Sequence, residues 1–102
     1  MVHVEEIEIG GHPFTTTHVA LPKTNLLIVS NDIGYIMCAA LDVDVFDDML
    51  ADRKIIAARA KGVRSIQDLL DAPLEKVTNA SREMYDWEVG MVGKDALLNL
   101  VR

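Results

Sequence analysis

Three kinds of side chain in this sequence could do chemistry: one cysteine, three histidines and a run of basic residues. The cysteine, Cys38, lies in the apolar stretch GYIMCAALDV at residues 34–43. A nucleophilic cysteine needs a cation, a histidine or a helix N-terminus that favours the thiolate. The nearest such element is a predicted helix that begins with Asp42, whose carboxylate disfavours a second negative charge. Because free cysteines are among the most often buried residues, we predict that Cys38 is a buried structural thiol, with catalysis as the alternative.

The three histidines all lie in the N-terminal part of the chain. If Gly10 and Gly11 form the turn of a β-hairpin, residues pair outwards from that turn and His3 faces His18. With Glu5 on the same face, this pair could offer two imidazoles and a carboxylate to a metal ion. A change of one residue in the loop would separate them, so we expect exposed or intersubunit histidines, no bound metal and no cofactor. In an interface, the histidines would make assembly depend on pH.

A basic segment, residues 53–64, contains several Lys and Arg residues and no acid. Arg59 lies on a predicted strand, on the same face as apolar neighbours, and a partly buried arginine needs a carboxylate or a bound anion. Arg64 precedes Ser65, the predicted N-cap of a helix, where anions are favoured. We expect both arginines to pair with aspartates of the preceding acidic segment. The alternative is a site for a phosphate or carboxylate ligand, formed by Arg59 and Arg64 with Cys38 nearby.

The pattern of residues 1–21 predicts a β-hairpin that could form a contact between subunits. Its alternation of apolar and polar residues places Ile7 opposite Phe14, with Thr16 beside them on the same face. The hairpin carries little charge after Glu8. We therefore expect residues 1–21 to be the oligomerisation region, with Ile7, Phe14 and Thr16 in the contact, and residues 22–102 to form the body of the same domain.

A second hairpin is predicted around residues 31–34, where Asn31 and Gly34 suit a type I turn. In this register Ile28 lies opposite Cys38. Both strands are apolar on both faces, and a strand of that kind is covered on both faces. Helices can provide one cover, and a second subunit can provide the other.

The second half of the chain predicts mainly helices. An acidic amphipathic helix followed by a fifth strand at residues 55–60 indicates a right-handed parallel crossover. The fold class is therefore α+β: one domain, residues 1–102, in which two hairpins and a fifth strand form a mixed sheet with about four short helices on one face. The predicted helices are residues 42–52, 66–70, 78–87 and 95–101.

Composition narrows the class of protein. Half of the 102 residues are hydrophobic, which suits one folded domain. A single cysteine excludes an intrachain disulfide framework and indicates a reducing cytoplasm. The net charge of −6 disfavours nucleic acid and anionic membranes as partners. No apolar run approaches the roughly 20 residues that a membrane-spanning helix needs.

Several motifs recur in an order that resembles a known family: PKTNLLIVS, GYIMCAALDV, Arg59, Gly62-Val63-Arg64 and LLDAPL. The chain resembles the YunC-like family of small bacterial and archaeal proteins, which carry a domain of unknown function. The resemblance covers nearly the whole chain; Ala39 stands where some relatives have glycine. It implies an α+β fold whose N-terminal β region mediates assembly into tetramers. It implies no activity and no catalytic residue.

The sequence therefore favours a cytoplasmic homo-oligomer, with a tetramer as the expected state, to which no biochemical activity can be assigned. In that interpretation a subunit interface covers hydrophobic sheet surface. The alternative is a protein or enzyme that binds a small anionic metabolite through Arg59 and Arg64, with Cys38 as a candidate catalytic group. A third interpretation, an adaptor for a protein partner, gives the same sequence pattern as the first.

Overall fold

A computed structural model of the chain describes residues 2–38 and 54–101. Its centre is a six-stranded sheet in which the strands lie in chain order. Neighbouring strands are antiparallel except for the fourth and fifth, which are parallel. The predicted α+β class and mixed sheet are confirmed, with one strand more than predicted. The strands are β1 (Val2–Ile9), β2 (His12–Leu21), β3 (Thr24–Ser30), β4 (Gly34–Cys38), β5 (Ile56–Ala60) and β6 (Lys76–Val77).

The first hairpin has the predicted register. His3 pairs with His18, and Ile7 pairs with Phe14. Gly10 and Gly11 both have positive φ, 59° and 83°, which is the backbone that a two-residue primed turn requires. Alternation and turn chemistry therefore agree over the whole length of β1 and β2.

The second hairpin differs from its prediction by one residue. Ile28 pairs with Met37 rather than with Cys38. The Asn31 side chain closes the loop, because its Oδ1 accepts hydrogen bonds from the backbone N–H of Ile33 at 2.9 Å and of Gly34 at 3.0 Å. A shift of one residue exchanges the faces of a strand. Cys38 consequently shares its face with residues of the main core.

Three helices lie in the part of the chain that the structure describes, and none of them is long and apolar enough to cross a membrane. Ser65 caps the first, as predicted, because its Oγ accepts from the N–H of Asp68 at 3.1 Å. Thr78 caps the second through the N–H of Ser81 at 3.2 Å. The predicted helix at residues 42–52 lies outside the described residues. The helices are α1 (Ile66–Asp71), α2 (Asn79–Tyr85) and α3 (Gly93–Asn99).

The main core lies between one face of the sheet and the helices. Strand residues such as Phe14, Val29 and Ile36 pack there with Leu69 of α1 and Leu97 of α3. A smaller cluster lies on the opposite face, where Met37 and Ala57 are buried against partly buried neighbours that include Tyr35. Burial raises the pKa of the Tyr35 hydroxyl. Apolar side chains are thus buried on both faces of the central strands, as their sequence predicted.

Two buried hydroxyls connect α2 to β5. Thr78 Oγ1 donates to the carbonyl of Ile55 at 2.7 Å and lies 2.7 Å from Ser81 Oγ. Ser81 Oγ accepts from the backbone N–H of Ala57 at 2.9 Å. Strand β6 has only two residues and pairs with Ala58 and Arg59 of β5. The two hydroxyls bond the backbone groups of the residues just before these, which β6 does not reach. The polar residues therefore complete the sheet at a buried edge.

Candidate functional site

The hairpin end that carries His3 and His18 is the first candidate site. The two imidazole centroids are 6.2 Å apart and the rings are tilted by 42°. His18 Nε2 lies 2.8 Å from Asn25 Oδ1, an oxygen of the adjacent strand β3. The described residues hold no group of three or more His, Cys, Asp and Glu side chains that could bind a metal, so Glu5 does not complete a triad with the pair. The predicted neighbourhood of His3 and His18 is present, without the carboxylate.

The same hairpin exposes apolar side chains on the face turned away from the helices. Val2 and Val4 are 61% and 62% exposed, and Leu21 at the end of β2 is also exposed. Val2 pairs with Val19, which is half-buried. We call Val2, Val4, Val19 and Leu21 the apolar hairpin face.

The residues predicted to form the subunit contact lie on the opposite face. Phe14 is 1% exposed and belongs to the main core, and Ile7 packs partly buried against that core. Thr16 is buried and its Oγ1 donates to the carbonyl of Glu5 at 3.3 Å. The side chains of Phe14 and Thr16 are therefore already covered within one chain, and their role in an interface stays a prediction.

Cys38 is buried in the main core, as its apolar strand predicted. Its Sγ accepts from the N–H of Leu27 and donates to the carbonyl of Asn25, both at 3.5 Å. The thiol is therefore the hydrogen-bond partner of two backbone groups of β3. Its slow reactivity stays a prediction.

Arg59 pairs with a carboxylate of its own chain. Its Nε lies 3.2 Å from Glu75 Oε2, and Lys61 Nζ lies 2.9 Å from Glu75 Oε1. The hydrogen bond from Lys61 and the charges of both cations hold the pKa of Glu75 below its usual range. The aspartates that were expected as partners of Arg59 lie in the acidic segment at residues 42–52, outside the described residues. Glu75 was missed because it is distant from Arg59 in sequence. It directly precedes β6, and its backbone N–H donates to the Arg59 carbonyl at 2.7 Å.

Arg64 takes part in the cap of α1 through its backbone. Its N–H donates to Asp68 Oδ2 at 3.1 Å, so the carboxylate of the capping sequence occupies this helix start. The residue itself is exposed. The Asp68 carboxylate thus supplies the negative charge that this position favours.

A shallow depression of about 370 Å³ lies elsewhere, beside the loop between β3 and β4. Neither arginine nor Cys38 lines it. The convergence of these three groups that an anion-binding enzyme would need is therefore not found in this depression. Its walls include Glu6, Phe14, Thr15, Ser30, Asp32 and Val101.

The strand order and the helices define a small α+β protein with a mixed sheet. The family model described as "Domain of unknown function (DUF1805)" matches residues 37–100, more than half of the chain. The chain belongs to this family. It is 52% identical over 102 residues to the "Uncharacterized protein YunC" of Bacillus subtilis (strain 168), and the match covers all of both proteins. The resemblance seen in the sequence motifs is confirmed.

The fold also resembles a solved structure. The crystal structure of TA1206 from Thermoplasma acidophilum, a protein of unknown function, superimposes with a TM-score of 0.86. The match has 25% sequence identity and covers 98% of this chain and 93% of that one. The strand and helix arrangement is therefore shared between chains that have diverged widely in sequence.

Proposed function

We propose that this protein works as a homo-oligomer in which residues 1–21 form the assembly region and residues 22–102 form the α+β body. The observation that carries the proposal is the exposure of Val2 and Val4 on a regular strand face. Burial of a valine side chain contributes about 1.5–3 kcal/mol, so a contact that covers both residues in each copy gains several kcal/mol. The expected state is a tetramer, as the family resemblance implies.

The apolar hairpin face continues across the sheet. Val19 pairs with Leu26 of β3, and the next residue pair on this face is Thr17 with Ile28. Leu26 and Ile28 are half-buried. A contact centred on Val4 can therefore extend over three strands. The three described helices pack on the other face, and the exposed side chains on this one are those of Val2, Val4 and Leu21 in the outer strands, which a second copy could cover. Met37 and Ala57, further along the sheet on this face, are already buried.

Packing of sheet faces suits this hairpin better than pairing of its edge. Strand β1 is the outermost strand of the sheet, and an exposed edge can pair with the same strand of another copy. Glu5, Glu6 and Glu8 of β1 would then face the same residues of the second copy or lie close to them, and like charges across paired strands are destabilising. A two-fold contact between apolar hairpin faces keeps Glu5 out of the contact, because this residue points to the other face. Glu6 and Glu8 share the face of Val4 but lie nearer the turn, so a contact centred on Val2 and Val4 leaves them at its rim.

The alternative function, binding of a small anionic metabolite, relies on Arg59 and Arg64 and on Cys38. Glu75 already bonds Arg59, and Asp68 lies at the helix start next to Arg64. An anion that binds Arg59 would have to displace the carboxylate of Glu75. We therefore rank this alternative second. We propose the cytoplasm as the compartment, which a single cysteine in the sequence favours.

A matched pair of valine variants tests the assembly surface. Val4→Lys puts a charge in the proposed contact. The dissociation constant of the oligomer, measured by sedimentation equilibrium, should be at least tenfold higher for this variant than for the original protein. Val89→Lys is the control, because Val89 is 59% exposed in a turn outside the hairpin. Equal effects of the two variants, or no effect of Val4→Lys, would overturn the proposed surface.

A further inference from the structure

We propose that His3 and His18 form a surface site for a borderline divalent transition metal ion such as Zn²⁺, with Asn25 as the residue that orients His18. Imidazole nitrogens are common ligands of zinc, copper and nickel. The site has two protein ligands, and water would complete the coordination, as it does in open metal sites.

The spacing of the two rings fits joint coordination of one ion. With Zn–N bonds of about 2.0–2.1 Å and tetrahedral angles, two imidazole centroids on one ion lie about 5 Å apart. The centroids of His3 and His18 are 6.2 Å apart, so a closure of about 1 Å brings them to that distance. His3 is exposed, so rotation of its side chain can provide this closure while Asn25 holds the ring of His18. The register of β1 and β2 holds the two residues opposite each other.

The contact with Asn25 selects the tautomer that a metal needs. An amide oxygen only accepts hydrogen bonds, so with Asn25 Oδ1 at 2.8 Å we assign the proton of the neutral His18 ring to Nε2. In the neutral ring the other nitrogen, Nδ1, then has its lone pair available. Metal-binding histidines typically donate their second ring N–H to an acceptor of this kind, which fixes the ring and raises its basicity. Asn25 is therefore a positioning residue for His18.

The surrounding charge favours a cation. The chain has a net charge of −6, and three glutamates lie on β1 with His3. A negative surface raises the local concentration of cations. The histidine pair lies on the face opposite Val2 and Val4, so metal binding and assembly can be tested and can fail independently.

Calorimetric titration of the tag-free protein with Zn²⁺ tests the site. We expect saturable binding of one ion per chain, weakened at least tenfold by His3→Gln and by His18→Gln. His12→Gln is the matched control, since His12 is exposed at the turn end of the same hairpin and pairs with Ile9. Binding that is absent from the original protein, that survives His18→Gln, or that falls equally in His12→Gln would overturn the proposal.

Substitution of Asn25 tests the positioning role separately. Asn25→Leu removes the acceptor for His18 Nε2–H and should weaken Zn²⁺ binding by about 10–100-fold, the usual effect of losing such a partner. Asn25→Asp keeps an acceptor and should bind at least as tightly as the original protein. Nitrogen-15 shifts of the His18 ring should report a proton on Nε2 in the original protein and a tautomer mixture in Asn25→Leu. Equal affinity of the two Asn25 variants, or a proton on Nδ1 of the original protein, would contradict this role.

Discussion

The buried hydroxyl of Ser81 should contribute measurably to stability. In Ser81→Ala the backbone N–H of Ala57 loses its acceptor at 2.9 Å, and the next acceptor, Thr78 Oγ1, lies at 3.5 Å. The Ala57 carbonyl keeps the N–H of Thr78 at 3.0 Å, so one buried donor is left without a good partner. A buried unsatisfied donor costs about 1–3 kcal/mol. We expect a loss of about 2 kcal/mol in the free energy of unfolding.

Urea unfolding at one fixed protein concentration measures this loss, because the stability of an oligomer depends on concentration. Ser30→Ala is the matched control: Ser30 is half-buried and its Oγ donates to the Thr15 carbonyl at a long 3.5 Å. Ser30→Ala should change the free energy by less than about 0.5 kcal/mol. If Ser81→Ala costs no more than Ser30→Ala, the hydroxyl network does not hold the edge of β5 as argued.

Native Cys38 should react with Ellman's reagent far more slowly than a small free thiol at neutral pH, because its sulfur is buried. Labelling at the rate of a free thiol would contradict this and revive the nucleophile. Lys23 has a φ of 65° in the turn between β2 and β3, so Lys23→Gly should raise the free energy of unfolding by about 1 kcal/mol in urea, and a decrease would refute the strain. Phosphate at about millimolar concentration, too dilute for its general kosmotropic effect, should raise Tm no more than sodium chloride at equal ionic strength, because Glu75 already binds Arg59. A rise specific to phosphate and lost in Arg59→Ala would promote the anion site.

The first hairpin could be predicted residue by residue because two local signals agree. Alternation in β1 and β2 sets the faces, and the Gly10-Gly11 turn sets the register. The second hairpin lacks this alternation, because its strands are apolar on both faces. A shift of the pairing by one residue therefore still places apolar side chains on each face. Only the geometry of the Asn31 loop decides between the two registers.

The pairing of Arg59 with Glu75 could not be predicted because it depends on a long-range contact. Strand β6 has two residues, too few to show an alternation, and it is this strand that brings Glu75 to Arg59. The sequence indicated correctly that a partly buried arginine needs an anionic partner. It could not choose between the many carboxylates of an acidic chain.

The proposed contact surface could not be predicted from the sequence either. Alternation identifies two faces of the hairpin, but not which of them the helices cover. Phe14 has the larger apolar side chain and belongs to the core, whereas Val4 is left exposed. Phe14→Asp would therefore test folding rather than assembly.

The mass of the native protein in solution decides whether the chains assemble. Light scattering coupled to size exclusion, at micromolar concentration, should give the mass of two or more 11.3 kDa chains, and four chains is the expected number. On dilution, the oligomer of Val4→Lys should dissociate at a protein concentration at which the original protein is still assembled. A single species of 11.3 kDa for the original protein would contradict the proposed assembly.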